Sequence, residues 1–164
     1  MRVCNIKISI YFEEALFEKM KTKEKIHSCL ASWKITQYRH SPHLMNVTGI
    51  RSESEINDVI IQLEEIYNNK CVKHQIDSVM LSHRDHKIIK LCNVYKHLKS
   101  VTDKYYIDYH PEIFTGMYLK PFNREYPTVN LFYTASFQLL GGKSFEKINY
   151  TVGMVKELIN KCEN

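Results

Sequence analysis

Residues 3–12 (VCNIKISIYF) alternate apolar and polar side chains at period two, which predicts a strand. The next stretch, EEALFEKMKTKEK, places Ala15, Leu16 and Met20 at helical spacing with acids leading and lysines trailing, as the helix dipole favours, and predicts a short amphipathic helix. SCLASWKITQYRH and LMNVTGI then read as strands joined by a turn at Ser41-Pro42. From Ser52, the positions Ile56, Val59, Ile60, Leu63, Ile66 and Tyr67 fall on one helical face and predict a long helix to Asn69. The second half follows the same order. A strand covers Gln75–Leu81, and a helix carries Ile88, Ile89, Leu91, Cys92, Tyr95 and Leu98. Strands follow at Lys104–Tyr109, Thr115–Pro121, Val129–Tyr133 and Phe137–Leu140, before a final helix over Ser144–Cys162.

A fixed offset tests whether this recurrence is a duplication. Sliding the chain by 92 positions pairs Gly49 with Gly141, Ser52 with Ser144, Ile56 with Ile148, Asn57 with Asn149, Glu65 with Glu157 and Asn68 with Asn160. The first strands correspond at an offset of 70, Asn5-Ile6 with Gln75-Ile76. The chain is therefore expected to be two unequal repeats, 1–72 and 73–164, forming one domain, with the first the shorter.

Composition narrows the class. With 164 residues, 44% hydrophobic and 12% aromatic content, five glycines and four prolines, the chain is neither disordered nor collagen-like. No apolar run reaches the roughly 18–20 residues of a membrane span. Five scattered cysteines without a Cys-x-x-Cys pair fit reduced thiols in a nuclear or cytosolic setting. Cys71, His74, His83, His86 and Cys92 match no standard zinc spacing and read as a histidine-rich turn, so no metal is expected. His83-Arg84-Asp85 lacks the asparagine a kinase loop needs, where Lys90 stands, and no Walker A, Gly-x-Ser-x-Gly or paired-carboxylate arrangement occurs. A non-enzymatic protein without a cofactor is the expectation.

Charge is uneven. Residues 1–72 carry ten Lys and Arg against nine Asp and Glu, and residues 73–164 carry thirteen against nine, so the net charge of +5 rests mainly on the second half. The first long helix, with Glu53, Glu55, Asp58, Glu64 and Glu65, is acidic and suits a basic protein partner better than phosphate.

The segment Tyr109-His110-Pro111-Glu112-Ile113-Phe114-Thr115-Gly116 resembles the Y-E-P-E-L-F-P-G stirrup of the TATA-binding protein (TBP) family. Val129 to Gly142 (VNLFYTASFQLLGG) resembles that family's strand, tight turn and strand, and Val47-Thr48-Gly49-Ile50-Arg51-Ser52-Glu53 resembles its C-T-G-A-K-S-E. The resemblance implies an α+β fold, a TBP-like saddle of two pseudo-symmetric repeats of an antiparallel sheet with helices on the convex face. It further implies that the sheet enters the minor groove of AT-rich promoter DNA, where apolar wedges unstack base steps. One wedge pair would be Phe114 with Tyr133, or with Phe132 if the strand shifts by one residue. Asn5 and Gln75 would stand where the family has two central asparagines, and Thr48 where a threonine meets the groove. The stirrup residues His110, Glu112 and Ile113 would meet a transcription factor IIB-like protein, bringing in the RNA polymerase machinery in the nucleus, a cytoplasmic viral factory or a virion.

The chain departs from that pattern in its first half, where KTKEKIHSC replaces a Pro-x-x-Phe stirrup and Tyr38-Arg39-His40 stands where a Phe is expected. Gly141 removes the second threonine. One-sided or partner-dependent DNA binding follows as an expectation, with an interaction module that does not bind DNA, or an accessory domain of a nucleic-acid enzyme, as the other readings. Richness in Lys, Ile, Asn and Tyr points to an AT-rich genome, such as that of a large DNA virus or a parasite.

Overall fold

The computed structural model describes residues 1–101 and 103–162. Among them the chain forms strands β1 (Arg2–Phe12), β2 (Lys25–Leu30), β3 (Trp33–Tyr38) and β4 (Ser41–Ile50), then helix α1 (Ser54–Tyr67). Strand β5 (Cys71–His83), helix α2 (Leu91–Val101), strands β6 (Tyr105–Asp108), β7 (Gly116–Pro121), β8 (Thr128–Phe132) and β9 (Phe137–Gly142), and helix α3 (Phe145–Lys161) follow. The chain divides into two compact units, residues 5–77 and residues 1–4 with 78–164.

In the first unit the antiparallel order is β2-β3-β4-β1. Period-two alternation puts Ile6, Ile8, Ile10 and Phe12 of β1, Trp33 and Ile35 of β3, and Met45 and Val47 of β4 on one buried face. The buried positions Ile56, Val59 and Leu63 of α1 close this core. Polar tethers fix the helix to the sheet: Trp33 Nε1 donates to Glu55 Oε1 at 2.7 Å, and Gln37 Nε2 donates to the Tyr67 hydroxyl at 3.0 Å.

The second unit has the order β5-β9-β8-β7-β6. Its buried face carries Val79, Leu81, Met117, Leu119, Val129, Leu131, Phe137 and Leu139. Leu91, Val94 and Leu98 of α2 and Ile148, Val152, Val155, Leu158 and Ile159 of α3 are buried with them. Both helices of this unit lie on one face of its sheet: α2 packs on β6 and β7, and α3 packs on β9.

Three sequence expectations fail in the first unit, the smallest being the turn expected at Ser41-Pro42, which lies at Arg39-His40 with Ser41 already in β4 and paired with Tyr38. Residues 13–24 are irregular rather than helical. Their backbone donors are spent elsewhere: Glu13 N–H bonds Lys70 O, Leu16 N–H bonds Pro42 O, and Met20 N–H bonds Arg39 O, at 2.9, 2.9 and 3.0 Å. Four apolar residues in thirteen, three of them adjacent, offer too little buried face to compete with those tertiary bonds. The stretch 28–40, read as one strand, is instead the closing half of a hairpin. Leu30 pairs with Trp33 across a two-residue turn, with Ala31 at φ 52°. In the second unit α2 starts at Leu91 rather than Ile88, because Ile89 N–H bonds Tyr133 O at 2.8 Å instead of opening the helix.

The two units repeat one another in backbone detail. Gly49 and Gly141 both have positive φ, 96° and 79°. Ser52 Oγ accepts from Glu55 N–H and Ser144 Oγ accepts from Lys147 N–H, each 3.3 Å and each at the start of a long helix. The buried positions Ile56, Val59 and Leu63 recur as Ile148, Thr151 and Val155. A bulge interrupts β1 between Ile6 and Ile8 opposite β4, and another interrupts β5 between Val79 and Leu81 opposite β9. These registers pair Ile6 with Ile50 and Val79 with Gly142, which sets the first-strand offset at 73 rather than 70. Ser78, not Gln75, is thus the counterpart of Asn5.

Candidate nucleic-acid interface

Among the described residues, each unit leaves the sheet face opposite its helices uncovered by any helix. In the second unit that face carries Tyr118 of β7, Asn130 and Phe132 of β8, and Gln138 of β9, which alternate with the core positions. Phe114 precedes β7 and is aimed by a tight turn: the N–H groups of Ile113 and Phe114 both reach His110 O at 2.9 Å. Its ring centroid lies 5.0 Å from that of Tyr118 and 5.9 Å from that of Phe132, the latter edge-on. Gly116 makes room for this ring, because a Cβ there would come within 2.7 Å of Phe114 Cε1 and 3.1 Å of Leu131 O.

Of the two alternatives for the wedge partner, the structure brings Phe132 to Phe114 and leaves Tyr133 apart. Tyr133 is 55% exposed, and its carbonyl holds the segment leading into α2. Sequence reasoning missed Tyr118, which completes the aromatic cluster. Its signal was present: two residues after Gly116, it alternates with Met117 and Leu119, so it had to face away from the core. Asn130 was missed as well. It is 6% exposed, and its Oδ1 has no hydrogen-bond partner among the described residues.

At the turn itself, Ile113 is 82% exposed. His110 lies between two carboxylates, with Nε2 at 3.1 Å from Asp108 Oδ1 and Nδ1 at 3.5 Å from Glu112 Oε1. His110, Glu112 and Ile113 therefore project together from the β6–β7 connection.

The first unit's helix-free face is polar. It presents Lys34, Thr36 and Tyr38 of β3, Asn46 and Thr48 of β4, and Asn5, Lys7 and Ser9 of β1. Asn5 is committed to structure, since its Oδ1 accepts the Gly49 N–H at 2.7 Å. Thr48 sits opposite Lys34 at the strand register. Gln75 is exposed and donates to Asp77 Oδ1 at 3.2 Å. No aromatic pair comparable to Phe114 and Phe132 occurs among the described residues of this face.

On α1, Asp58 and Glu65 are exposed beside Ile61 and Ile66. Glu55 is occupied: it accepts from Arg51 N–H at 2.7 Å as well as from Trp33, and these bonds hold its carboxyl below the usual glutamate range. No group of three or more His, Cys, Asp or Glu side chains gathers to hold a metal among the described residues, and no described helix is long and apolar enough to cross a membrane.

Neither a family model nor a curated protein matches the sequence. Among solved structures, the chain is similar to TBP from Methanococcus jannaschii at a TM-score of 0.67, with 16% identity over 97% of each chain. The chain thus has the α+β fold of the TATA-binding protein.

Proposed function

We propose that this chain is a non-enzymatic, TBP-like transcription factor that binds promoter DNA in the minor groove and recruits initiation partners. The observation that carries the reading is the cluster of Phe114, Tyr118 and Phe132 on the helix-free face of a TBP fold. An apolar edge of this kind inserts between base steps and unstacks them, and the kinked duplex then contacts more protein. Asn130 and Gln138 beside the cluster supply carboxamides for the groove edges. Asn5, Thr48 and Gln75 would contact DNA from the first unit, and Tyr133 would flank the wedge. His110, Glu112 and Ile113 form the docking point for a transcription factor IIB-like protein and, through it, RNA polymerase. The acidic surface of α1, with Ile61 and Ile66 exposed, is suited to a basic subunit. A nucleus or a viral factory is the corresponding compartment, and residues 1–72 and 73–164 are the two copies of the ancestral repeat.

A second reading, a protein-interaction module without direct DNA binding, draws on the polar face of the first unit, which offers no wedge. Fluorescence anisotropy with an AT-rich duplex over a salt series separates the two. The expected result is salt-dependent binding that weakens by about tenfold or more in Phe114→Ala and in Phe132→Ala, given about 1–3 kcal/mol per stacked base, with Tyr133→Ala milder. Absent binding, or binding unchanged in both phenylalanine variants, overturns the groove-wedge reading and leaves the module.

A further inference from the structure

The polar face of the first unit has a carboxylate built into it. Asp77 of β5 receives Ser9 Oγ at 2.6 Å and Gln75 Nε2 at 3.2 Å, with Lys7 Nζ at 3.7 Å. Ser9 Oγ also lies 2.8 Å from Asn46 Oδ1, but it has one proton, and the shorter contact to the charged acceptor takes it. Asn46 in turn donates to the Tyr38 hydroxyl at 2.9 Å. Tyr38 with Asn46 and Ser9 with Asp77 thus form two hydrogen-bonded pairs lying side by side across β3, β4, β1 and β5. The bonds to Asp77 fix the carboxylate in place while 18% of its side chain stays open to solvent.

A fixed carboxylate is a poor match for an A·T minor groove. Adenine N3 and thymine O2 are both acceptors, and an ionised carboxylate accepts only. Guanine alone adds a donor to that groove, its 2-amino group. Lys7 and Lys34 on the same face, with Lys73 on β5, supply the positive charge that lets an acidic group approach a phosphate-lined groove. We infer that Asp77 makes the first unit's face select G·C over A·T pairs by accepting a hydrogen bond from the guanine 2-amino group. The inference rests on minor-groove binding as proposed above, and it assigns the first unit a base preference opposite to the AT-rich one expected from the resemblance.

The test uses inosine, which removes only the 2-amino group and leaves the major-groove edge of the pair intact. Duplexes with an AT-rich core and a single G·C pair at successive positions are compared with their I·C counterparts, using the full chain. At one or a few positions, wild type should bind G·C about tenfold more tightly than I·C, the magnitude of a hydrogen bond to a charged group. Asp77→Asn and Asp77→Ala, checked for folding by urea midpoint, should bring that ratio close to one and bind all-A·T duplex at least as well as wild type. Equal affinity for G·C and I·C at every position overturns the inference alone, as does a ratio unchanged in both Asp77 variants. Absence of binding to any duplex overturns the inference together with the reading it rests on.

Discussion

Gly49 and Gly141 occupy matching positions with similar backbone conformation but different surroundings, so alanine at each separates conformational strain from steric conflict. An L-residue in the left-handed region costs about 1–2 kcal/mol, partly offset by about 0.4–1 kcal/mol from a less flexible unfolded chain. At Gly141 nothing lies within 4 Å of the added Cβ, so Gly141→Ala should lose about 1 kcal/mol. At Gly49 the Cβ would stand 2.7 Å from Ser32 O and 3.4 Å from Trp33 Cα, both backbone atoms of the β2–β3 hairpin. The Asn5 carboxamide grips the Gly49 N–H at 2.7 Å, so the strand cannot drift away without losing that bond. Overpacking of this kind adds about 1–3 kcal/mol, bringing Gly49→Ala to about 2–4 kcal/mol. For a chain of this length, about 2–4 °C accompanies each kcal/mol, so thermal melts followed by circular dichroism should fall by about 3 °C for Gly141→Ala and about 10 °C for Gly49→Ala. Urea midpoints should move in the same order at unchanged m. Equal losses, or a larger loss at Gly141, would refute the steric argument.

Two further predictions concern single contacts. Because the Glu55 carboxyl sits below its ordinary value of 4.5 when folded, its bonds contribute stability that is fully present above that pH and lost as pH falls through the depressed value. Urea midpoints measured from pH 7 to pH 3 should therefore drop further for wild type than for Glu55→Gln, and parallel curves would contradict the assignment. Gly116→Ala should push the Phe114 ring off Tyr118 and Phe132, weakening duplex binding several-fold in anisotropy while the melting temperature moves by no more than a few degrees, since the nearest atom is the tip of a side chain. Binding equal to wild type would show that the ring's seat does not matter.

Much of the fold could be read in the chain because the physics that forms it is periodic. The alternation of Ile6, Ile8 and Ile10, and the spacing of Ile56, Val59 and Leu63, are direct records of a buried face. What could not be read depended on partners distant in sequence. Ala31-Ser32 carries none of the Asn-Gly chemistry that marks a tight hairpin, and only the pairing of Leu30 with Trp33 imposes the positive φ of Ala31. Residues 13–24 have weak helical spacing that three tertiary backbone bonds override. The one-residue ambiguity between Phe132 and Tyr133 was a question of which face each residue takes, and the register of β7 against β8, with Gly116 opposite Phe132, resolves it. Tyr118 and Asp77 escaped notice because each gains significance only from neighbours on adjacent strands.

The matched bulges in β1 and β5 have a consequence for how such a chain evolves. What the two copies share is backbone instruction: a serine at each helix start, a glycine with positive φ, an irregular rung at the same place in the ladder. What they do not share is the surface turned away from the helices, aromatic in one copy and hydrogen-bonded polar in the other. Two such units joined in one polypeptide are held at equal concentration, so each surface can differ in its ligand chemistry without losing its companion. In that sense the molecule is a heterodimer written as a single chain, with its folding code conserved twice and its recognition code written once per half.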